Sequence, residues 1–148
     1  MQKIQNDDIM KKVLTTMITI SGRKTTEGYA TSVLETLLKQ LSSRYDFLKY
    51  IDVKDTQFVE ERTPITVLSN VNVVSSEEIG KALHDIITTM NKNLGEDAGH
   101  FFIKEISRNL TEEYNNAIRS MGVDLNLMQL EHEVNELERR LLNSQQKA

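Results

Sequence analysis

One short segment concentrates the residue types that metal and acid–base chemistry use. Residues 95–106, GEDAGHFFIKEI, contain an acid and a histidine three positions apart, Asp97 and His100, followed by two phenylalanines. Residues at this spacing lie on the same side of an α-helix, so the pair is close enough to share a metal ion or a proton. The alternative is that the segment only begins a helix.

A carboxylate-bridged metal site in a helical bundle needs an acid-x-x-His pair on each of two helices, with further acids pointing inward. The sequence offers no second pair. The residue three positions before His84 is Lys81, and the residue three positions before His132 is Gln129. We therefore assign no metal ligand and no cofactor.

A helical wheel separates the roles of the residues in this segment. Phe102 falls on the apolar side together with Gly99, whose missing side chain would let a neighbouring helix approach closely. Glu96 and Asp97 would lie in a first turn, where acids complement the positive end of the helix dipole. His100 is expected at the boundary of the apolar side.

Phe101 falls on the polar side of the same wheel, beside Asp97, Lys104 and Arg108. One interpretation is a lone exposed apolar residue or a contact with the β segment described below. The other is an anchor for a partner surface. Phe101 is therefore a candidate interface residue.

The last helical segment carries the clearest interaction pattern. Apolar residues alternate three and four positions apart, as the a and d positions of a heptad repeat do. Two heptads are too few for an independent coiled coil, so this helix must pack on its own bundle or on a second subunit, and the two remain open. The candidate interface residues of this seam are Leu127, Leu130, Val134, Leu137 and Leu141.

The charges beside the seam favour one direction of self-association. With Leu127 at position a, the g positions hold Glu133 and Arg140, and the e positions hold Glu131 and Glu138. A parallel dimer would oppose Glu133 and Glu138, whereas an antiparallel dimer would oppose Glu133 and Arg140, although its e positions would still oppose like charges. If the helix self-associates, an antiparallel pair is expected.

Five segments with helical spacing must position these residues. The first begins at Asn6-Asp7-Asp8 and stops at Ser21-Gly22, and the second begins at Thr25-Thr26 and extends through Leu48. The third begins at the capping serines Ser75-Ser76 and stops at Gly95. The remaining two span about 96–121, with a possible break near Asn109, and about 125–143 after a cap at Asp124.

Between the second and third helices the apolar pattern changes to that of β-strands. YIDV, QFV and ITVLSNVNVV are short and β-branched, and Pro64 separates the last two. The predicted fold is mainly α, an up-and-down bundle of four to five helices with a small β-hairpin or ribbon around residues 49–74. Residues 1–143 are predicted to form a single domain, and 144–148 a frayed tail.

Composition excludes several classes of function. The net charge is −4, which disfavours nucleic-acid binding. Cysteine is absent, and no apolar run is long enough to span a membrane, so a cytoplasmic protein that does not bind membranes is expected. No nucleophile motif is present, and we assign no catalytic residue and lean against an enzyme.

Three residues form an alternative, ligand-binding interpretation. His84, His100 and Glu113 are candidate residues of a small-ligand site between helices. Glu113 stands out because an uninterrupted fourth helix would point this carboxylate into the core, where an unpaired acid is costly. A break at Asn109 would turn Glu113 outward instead.

The segments GEDAGHFFIKEI and MGVDLNLMQLEHEVNELE resemble those of small archaeal proteins of unassigned function. The resemblance covers roughly the second half of the chain, implies a helical fold and transfers no site residue. The function expected from the sequence is a non-enzymatic helical-bundle interaction or regulatory module that self-associates as a homodimer. The alternative is a small-ligand sensor or an enzyme with its site between helices.

Overall fold

The computed structural model describes residues 4–54 and 65–146 and confirms a mainly helical bundle with a small antiparallel hairpin. Two short 3-10 turns, Asp46–Tyr50 and Ser69–Val73, flank the hairpin. In chain order the other elements are α1 (Asn6–Lys24), α2 (Glu27–Leu41), β1 (Ile51–Val53), β2 (Ile65–Val67), α3 (Ser76–Gly99), α4 (Phe102–Asn109), α5 (Glu112–Ser120) and α6 (Leu125–Gln146).

Helix α1 lies at the centre of the bundle and contacts α2, α3, α4 and α5. The predicted stop at Ser21-Gly22 is wrong, because the helix continues to Lys24 and the amide of Thr25 still bonds to the Ser21 carbonyl. Gly22 instead permits close packing, since a Cβ there would lie 3.3 Å from Glu27 Cα. Thr26 caps α2 by accepting a hydrogen bond from the Tyr29 amide, as predicted.

The loop after α2 is fastened to α3. The prediction that this helix extends through Leu48 is wrong, because α2 ends at Leu41 and the chain turns. Tyr45 then donates a 2.7 Å hydrogen bond to Asp85 Oδ2, and Arg44 pairs with the same oxygen at 3.2 Å. Asp85 is adjacent to His84, so these bonds hold the α3 surface that carries His84.

The hairpin is shorter than its sequence suggests. β1 and β2 pair with Ile51 opposite Val67, but Ser69–Val73 forms a 3-10 turn rather than a continued strand. The turn supplies partners for the start of α1. Asn6 donates to the carbonyls of Val71 and Val74, and the side-chain oxygen of Asn72 accepts from the Asp7 amide. The predicted strand QFV, residues 57–59, lies outside the described residues.

Helix α3 begins with the predicted cap, in which the Ser75 hydroxyl accepts from the Glu78 amide. Gly95, with φ of 82°, kinks the helix where a stop was predicted, and helical structure resumes to Gly99. A Cβ on Gly99 would lie 2.7 Å from the Asn91 carbonyl oxygen, so this glycine permits a close approach to the earlier part of α3 and not to a neighbouring helix as expected. The side chains of Glu96 and Asp97 lie outside the described part of the structure.

The predicted break near Asn109 is present and decides the position of Glu113. α4 ends at Asn109, Leu110 is extended, and α5 begins at Glu112. Asn115 compensates the break by donating to the carbonyls of Ser107 and Leu110. Glu113 is consequently exposed on α5 and does not point into the core.

The core is formed by buried aliphatic, methionine and phenylalanine side chains of all six helices and the hairpin. Among residues 4–54 and 65–146, no helix combines the length and the hydropathy that a bilayer crossing requires. The largest side chains that are almost fully buried are Phe102, Ile9, Met10, Leu14, Met17, Ile20, Leu34, Leu37, Ile65, Ile79, Leu83 and Ile86.

We expect Gly99→Ala to lower the free energy of unfolding by about 1–3 kcal/mol, because the added methyl group forces the helix away from the Asn91 carbonyl. Gly80→Ala should cost more, since its methyl group would overlap the Met121 carbonyl oxygen. Urea unfolding of both variants measures the ranking. Unchanged unfolding midpoints would contradict these close approaches.

We expect Tyr45→Phe to lower the free energy of unfolding by about 1–2 kcal/mol at neutral pH, because the hydrogen bond to Asp85 is lost. Burial raises the pKa of Asp85, but the hydrogen bonds from Tyr45 and Arg44 and the nearby His84 side chain outweigh burial and lower the pKa below its usual value. Because the pKa of Asp85 is lower in the folded than in the unfolded state, the ionised carboxylate stabilises the fold at pH values above the unfolded-state pKa. This contribution is lost as the pH falls through the folded-state pKa.

The difference between wild type and Tyr45→Phe should therefore be constant from neutral pH to about pH 4 and shrink below it. Tyr29→Phe is the matched control, since Tyr29 is 52% exposed. Urea unfolding at several pH values measures both variants. A difference that persists undiminished at low pH would show that the hydroxyl acts independently of the Asp85 carboxylate.

Candidate functional site

Helix α6 packs mainly on α4, and it does so with polar side chains. Leu125 and Met128 are buried at its start, but beyond Met128 the buried residues are Gln129 and Glu136, each 6% exposed. Gln129 donates to the His100 carbonyl at 2.8 Å and accepts from the Lys104 amide at 3.1 Å. One amide therefore fastens α6 to the junction between α3 and α4.

Glu136 lies between two histidines. Its Oε2 is 2.8 Å from His100 Nδ1, and its Oε1 is 3.2 Å from His132 Nε2. His132 precedes Glu136 by one helical turn on α6, whereas His100 comes from the end of α3. A potential ligand atom from each of the three residues lies within 4.8 Å of the others, so together they could hold a metal ion.

Asn91 completes the cluster from the middle of α3. It is 5% exposed, and its Nδ2 lies 3.1 Å from His132 Nδ1. Two buried polar atoms in the cluster, Asn91 Oδ1 and His132 Nε2, have no hydrogen-bond partner among the described residues. His132 Nε2 is close to Glu136 Oε1 but not aligned for a hydrogen bond. Such unsatisfied buried groups are uncommon in folded proteins.

Opposing effects set the charge of Glu136. Burial raises the pKa of this carboxyl group, but the hydrogen bond from His100 and the nearby side chains of His132 and Arg140 lower the pKa by a larger amount. The pKa consequently lies below the usual value of 4.5. Glu136 is therefore an ionised, acceptor-only carboxylate at neutral pH, which is the form that binds cations.

A cavity of about 400 Å³ lies beside this cluster, between α3 and α6. His132 and Glu136 line it, so the cluster borders open space. Ile103 of α4 supplies an apolar side chain. Around the cavity stand further polar residues, among them His84, Thr88, Lys92, Glu131 and Arg139.

The structure separates the candidate ligand residues predicted from the sequence. His84 lines the cavity, and its Nδ1 lies 3.6 Å from Asp85 Oδ1. His100 belongs to the cluster around Glu136, and its side chain is 34% exposed, in agreement with a boundary position. Glu113 is exposed on α5 and is not among the cavity residues, so the proposed set of three is not brought together.

The structure leaves the candidate interface residues accessible to solvent. Phe101 is 47% exposed and packs its edge against the His100 ring at 4.3 Å, with Lys104 Nζ 5.9 Å from the Phe101 ring centre. The described residues also leave the α6 seam uncovered. Its exposures are 51% for Leu127, 56% for Leu130, 45% for Val134, 58% for Leu137 and 56% for Leu141.

The prediction of no metal ligand rests only on acids that precede a histidine by three positions. The signal it did not use is His132-x-x-x-Glu136, whose spacing places an imidazole and a carboxylate one turn apart on α6. The third member, His100, lies 36 positions from Glu136 in the chain. Only the tertiary structure brings it to the pair.

Comparisons of the chain with protein-family models, with curated proteins and with solved structures find no significant match. The site and the surfaces of this chain therefore carry the evidence about its function.

Proposed function

We propose that this protein is a helical-bundle interaction or regulatory module that self-associates as a homodimer through α6. The observation that carries the proposal is the uncovered seam, in which five aliphatic side chains are each about half exposed along one face of a 22-residue helix. Single exposed apolar residues are ordinary, but a contiguous apolar stripe is typical of an interaction surface.

The heptad spacing of the seam favours a second copy of this chain as its occupant. A seam of a and d positions is self-complementary, since knobs on one helix fit the holes of an identical partner. Antiparallel pairing places Glu133 of one copy opposite Arg140 of the other, which gives two opposite-charge pairs per dimer beside the two like-charge pairs of Glu131 with Glu138. Parallel pairing would place Glu133 opposite Glu138, two like charges.

Phe101 is a second exposed apolar side chain near α6. The backbone of its neighbours His100 and Lys104 bonds to Gln129, so Phe101 is held beside α6. Aromatic residues are enriched at the centres of protein interfaces because they bury a large area with few rotatable bonds. Phe101 is therefore included in the proposed interface.

The double substitution Leu130→Asp and Leu137→Asp should convert the dimer to a monomer without unfolding it, because both side chains are more than half exposed within one chain. Light scattering coupled to gel filtration measures the mass, and circular dichroism measures the fold. Leu142→Asp is the matched control, since Leu142 is 59% exposed on the same helix but lies outside the seam.

The control should remain dimeric. A wild-type protein that is monomeric at tens of micromolar, or a double variant that keeps the mass of a dimer, would contradict self-association through α6.

Charge reversal tests the direction of pairing. Glu133→Arg and Arg140→Glu should each weaken an antiparallel dimer several-fold, because each converts two attractive pairs into repulsive ones worth a few tenths to about 1 kcal/mol apiece. The double reversal should restore wild-type affinity. Sedimentation equilibrium measures the dissociation constants. A parallel dimer would respond oppositely to Glu133→Arg, which would remove its repulsion from Glu138 and tighten the dimer.

The cavity beside Glu136 favours a second function, a small-ligand sensor or an enzyme with its site between α3 and α6. Its volume of about 400 Å³ is within the range of small-molecule sites. Its lining combines apolar side chains with titratable groups, as ligand pockets do. The two functions use opposite faces of α6 and are compatible in one molecule.

A further inference from the structure

We propose that His100, His132 and Glu136 form a binding site for one divalent first-row transition-metal ion of the Zn²⁺ class, with an open coordination position toward the cavity. The site requires only the fold of one chain and does not depend on self-association.

The separations within the cluster suit such an ion. Zinc binds histidine nitrogens and carboxylate oxygens at about 2.0–2.2 Å, so two ligand atoms of a tetrahedral site lie roughly 3.3 Å apart. The His132 Nε2 to Glu136 Oε1 distance is 3.2 Å, and the His100 Nδ1 to Glu136 Oε2 distance is 2.8 Å. One potential ligand atom from each of the three residues lies within 4.8 Å of the others, so the longest separation would shorten toward roughly 3.3 Å when an ion binds.

The unpartnered atoms point to the same conclusion. His132 Nε2 is buried, adjacent to a carboxylate oxygen, and without a hydrogen bond. A metal ion would use this nitrogen as a ligand and would also coordinate the carboxylate. His132 Nε2 and Glu136 Oε1 are not aligned for a hydrogen bond, but their separation suits two ligands of one metal ion.

Asn91 is placed to orient His132. When Nε2 binds a metal, Nδ1 carries the proton and needs an acceptor, which a neighbouring residue usually provides. Asn91 is 5% exposed, its amide lies against Nδ1, and its Oδ1 has no partner. Rotation of the amide about its terminal bond presents Oδ1 to Nδ1 as that acceptor. Asn91 is thus a positioning residue for the site.

The donor set selects the class of ion. Two imidazoles and one carboxylate suit zinc and its first-row neighbours, whereas Mg²⁺ and Ca²⁺ prefer sites made of oxygen ligands. Three protein ligands leave a fourth position of a tetrahedral ion unfilled, as in catalytic rather than structural zinc sites. His132 and Glu136 both line the cavity, so that position is accessible to water or a small ligand.

Calorimetric titration of chelator-treated full-length protein with ZnCl₂ tests the site. We expect one ion per chain for the wild type and no saturable binding of MgCl₂. His132→Gln and Glu136→Gln should each weaken zinc binding by at least about 10-fold, since loss of a ligand costs no less than loss of an orienting neighbour. His84→Gln is the matched control, because His84 lines the same cavity but lies outside the cluster, and it should bind as the wild type does.

Titration with CoCl₂ provides a spectroscopic signal that depends on metal ligation and not only on whether the variant is folded. The visible absorption of bound Co²⁺ reports nitrogen and oxygen ligation at low coordination number, and it should be lost in His132→Gln and kept in His84→Gln. Circular dichroism verifies the fold of each variant. If a substitution at buried Glu136 unfolds the chain, His100→Gln replaces it, because the His100 side chain is 34% exposed.

Absence of stoichiometric zinc binding would overturn the proposal, as would wild-type affinity in folded His132→Gln or His100→Gln. In either case the three residues form a structural hydrogen-bonded cluster only. The Leu130→Asp and Leu137→Asp variant should bind zinc as the wild type does, so failure of the dimer and failure of the metal site are distinguishable.

Discussion

The buried carboxylate of Glu136 is the constraint on which the second half of this molecule depends. An ionised acid without compensation costs several kcal/mol in a protein interior, so Glu136 must be surrounded by donors and positive charge. His100 Nδ1 supplies a hydrogen bond at 2.8 Å, and His132 Nε2 lies 3.2 Å from the other carboxylate oxygen. Because these residues come from two different helices, satisfying the carboxylate also fixes how α6 sits against the junction of α3 and α4.

That junction is shaped by two glycines. Gly95 adopts a φ of 82° and kinks α3, and Gly99 lets the chain after the kink approach Asn91. Together they bring His100 to Glu136 and Asn91 to His132. The kink therefore interrupts the helix and brings together side chains that are distant in sequence. Gln129 then binds the backbone that the junction leaves unpaired.

Much of the fold could be predicted from the sequence because local rules decide it. The caps at Thr26, Ser75 and Asp124, and the break after Asn109, depend on neighbours within a few residues and are present as expected. The failures occur where a distant partner overrides the local pattern. SNVNV alternates like a strand, yet it forms a 3-10 turn whose groups bond to the start of α1.

The candidate site could be predicted only in part for the same reason. His132 and Glu136 are one turn apart, and a search in both directions from each histidine would have found them. The participation of His100 and Asn91 depends on the Gly95 kink and on the packing of α6, which no local spacing encodes. Glu113 shows the converse, because its expected burial required an uninterrupted helix that the break at Asn109 removes.

Helix α6 inverts the usual arrangement of an amphipathic helix. Its inner face, beyond Met128, carries Gln129 and Glu136, whereas its aliphatic side chains face outward. Apolar burial normally holds a helix to its bundle, so here hydrogen bonds and charge must do so. The hydrogen bonds that attach α6 to the bundle are directional and depend on the arrangement of the cluster. The apolar seam contributes favourable free energy only when another surface covers it. Because the two faces use different side chains of one helix, the attachment of α6 to the bundle and the covering of its seam depend on separate sets of contacts.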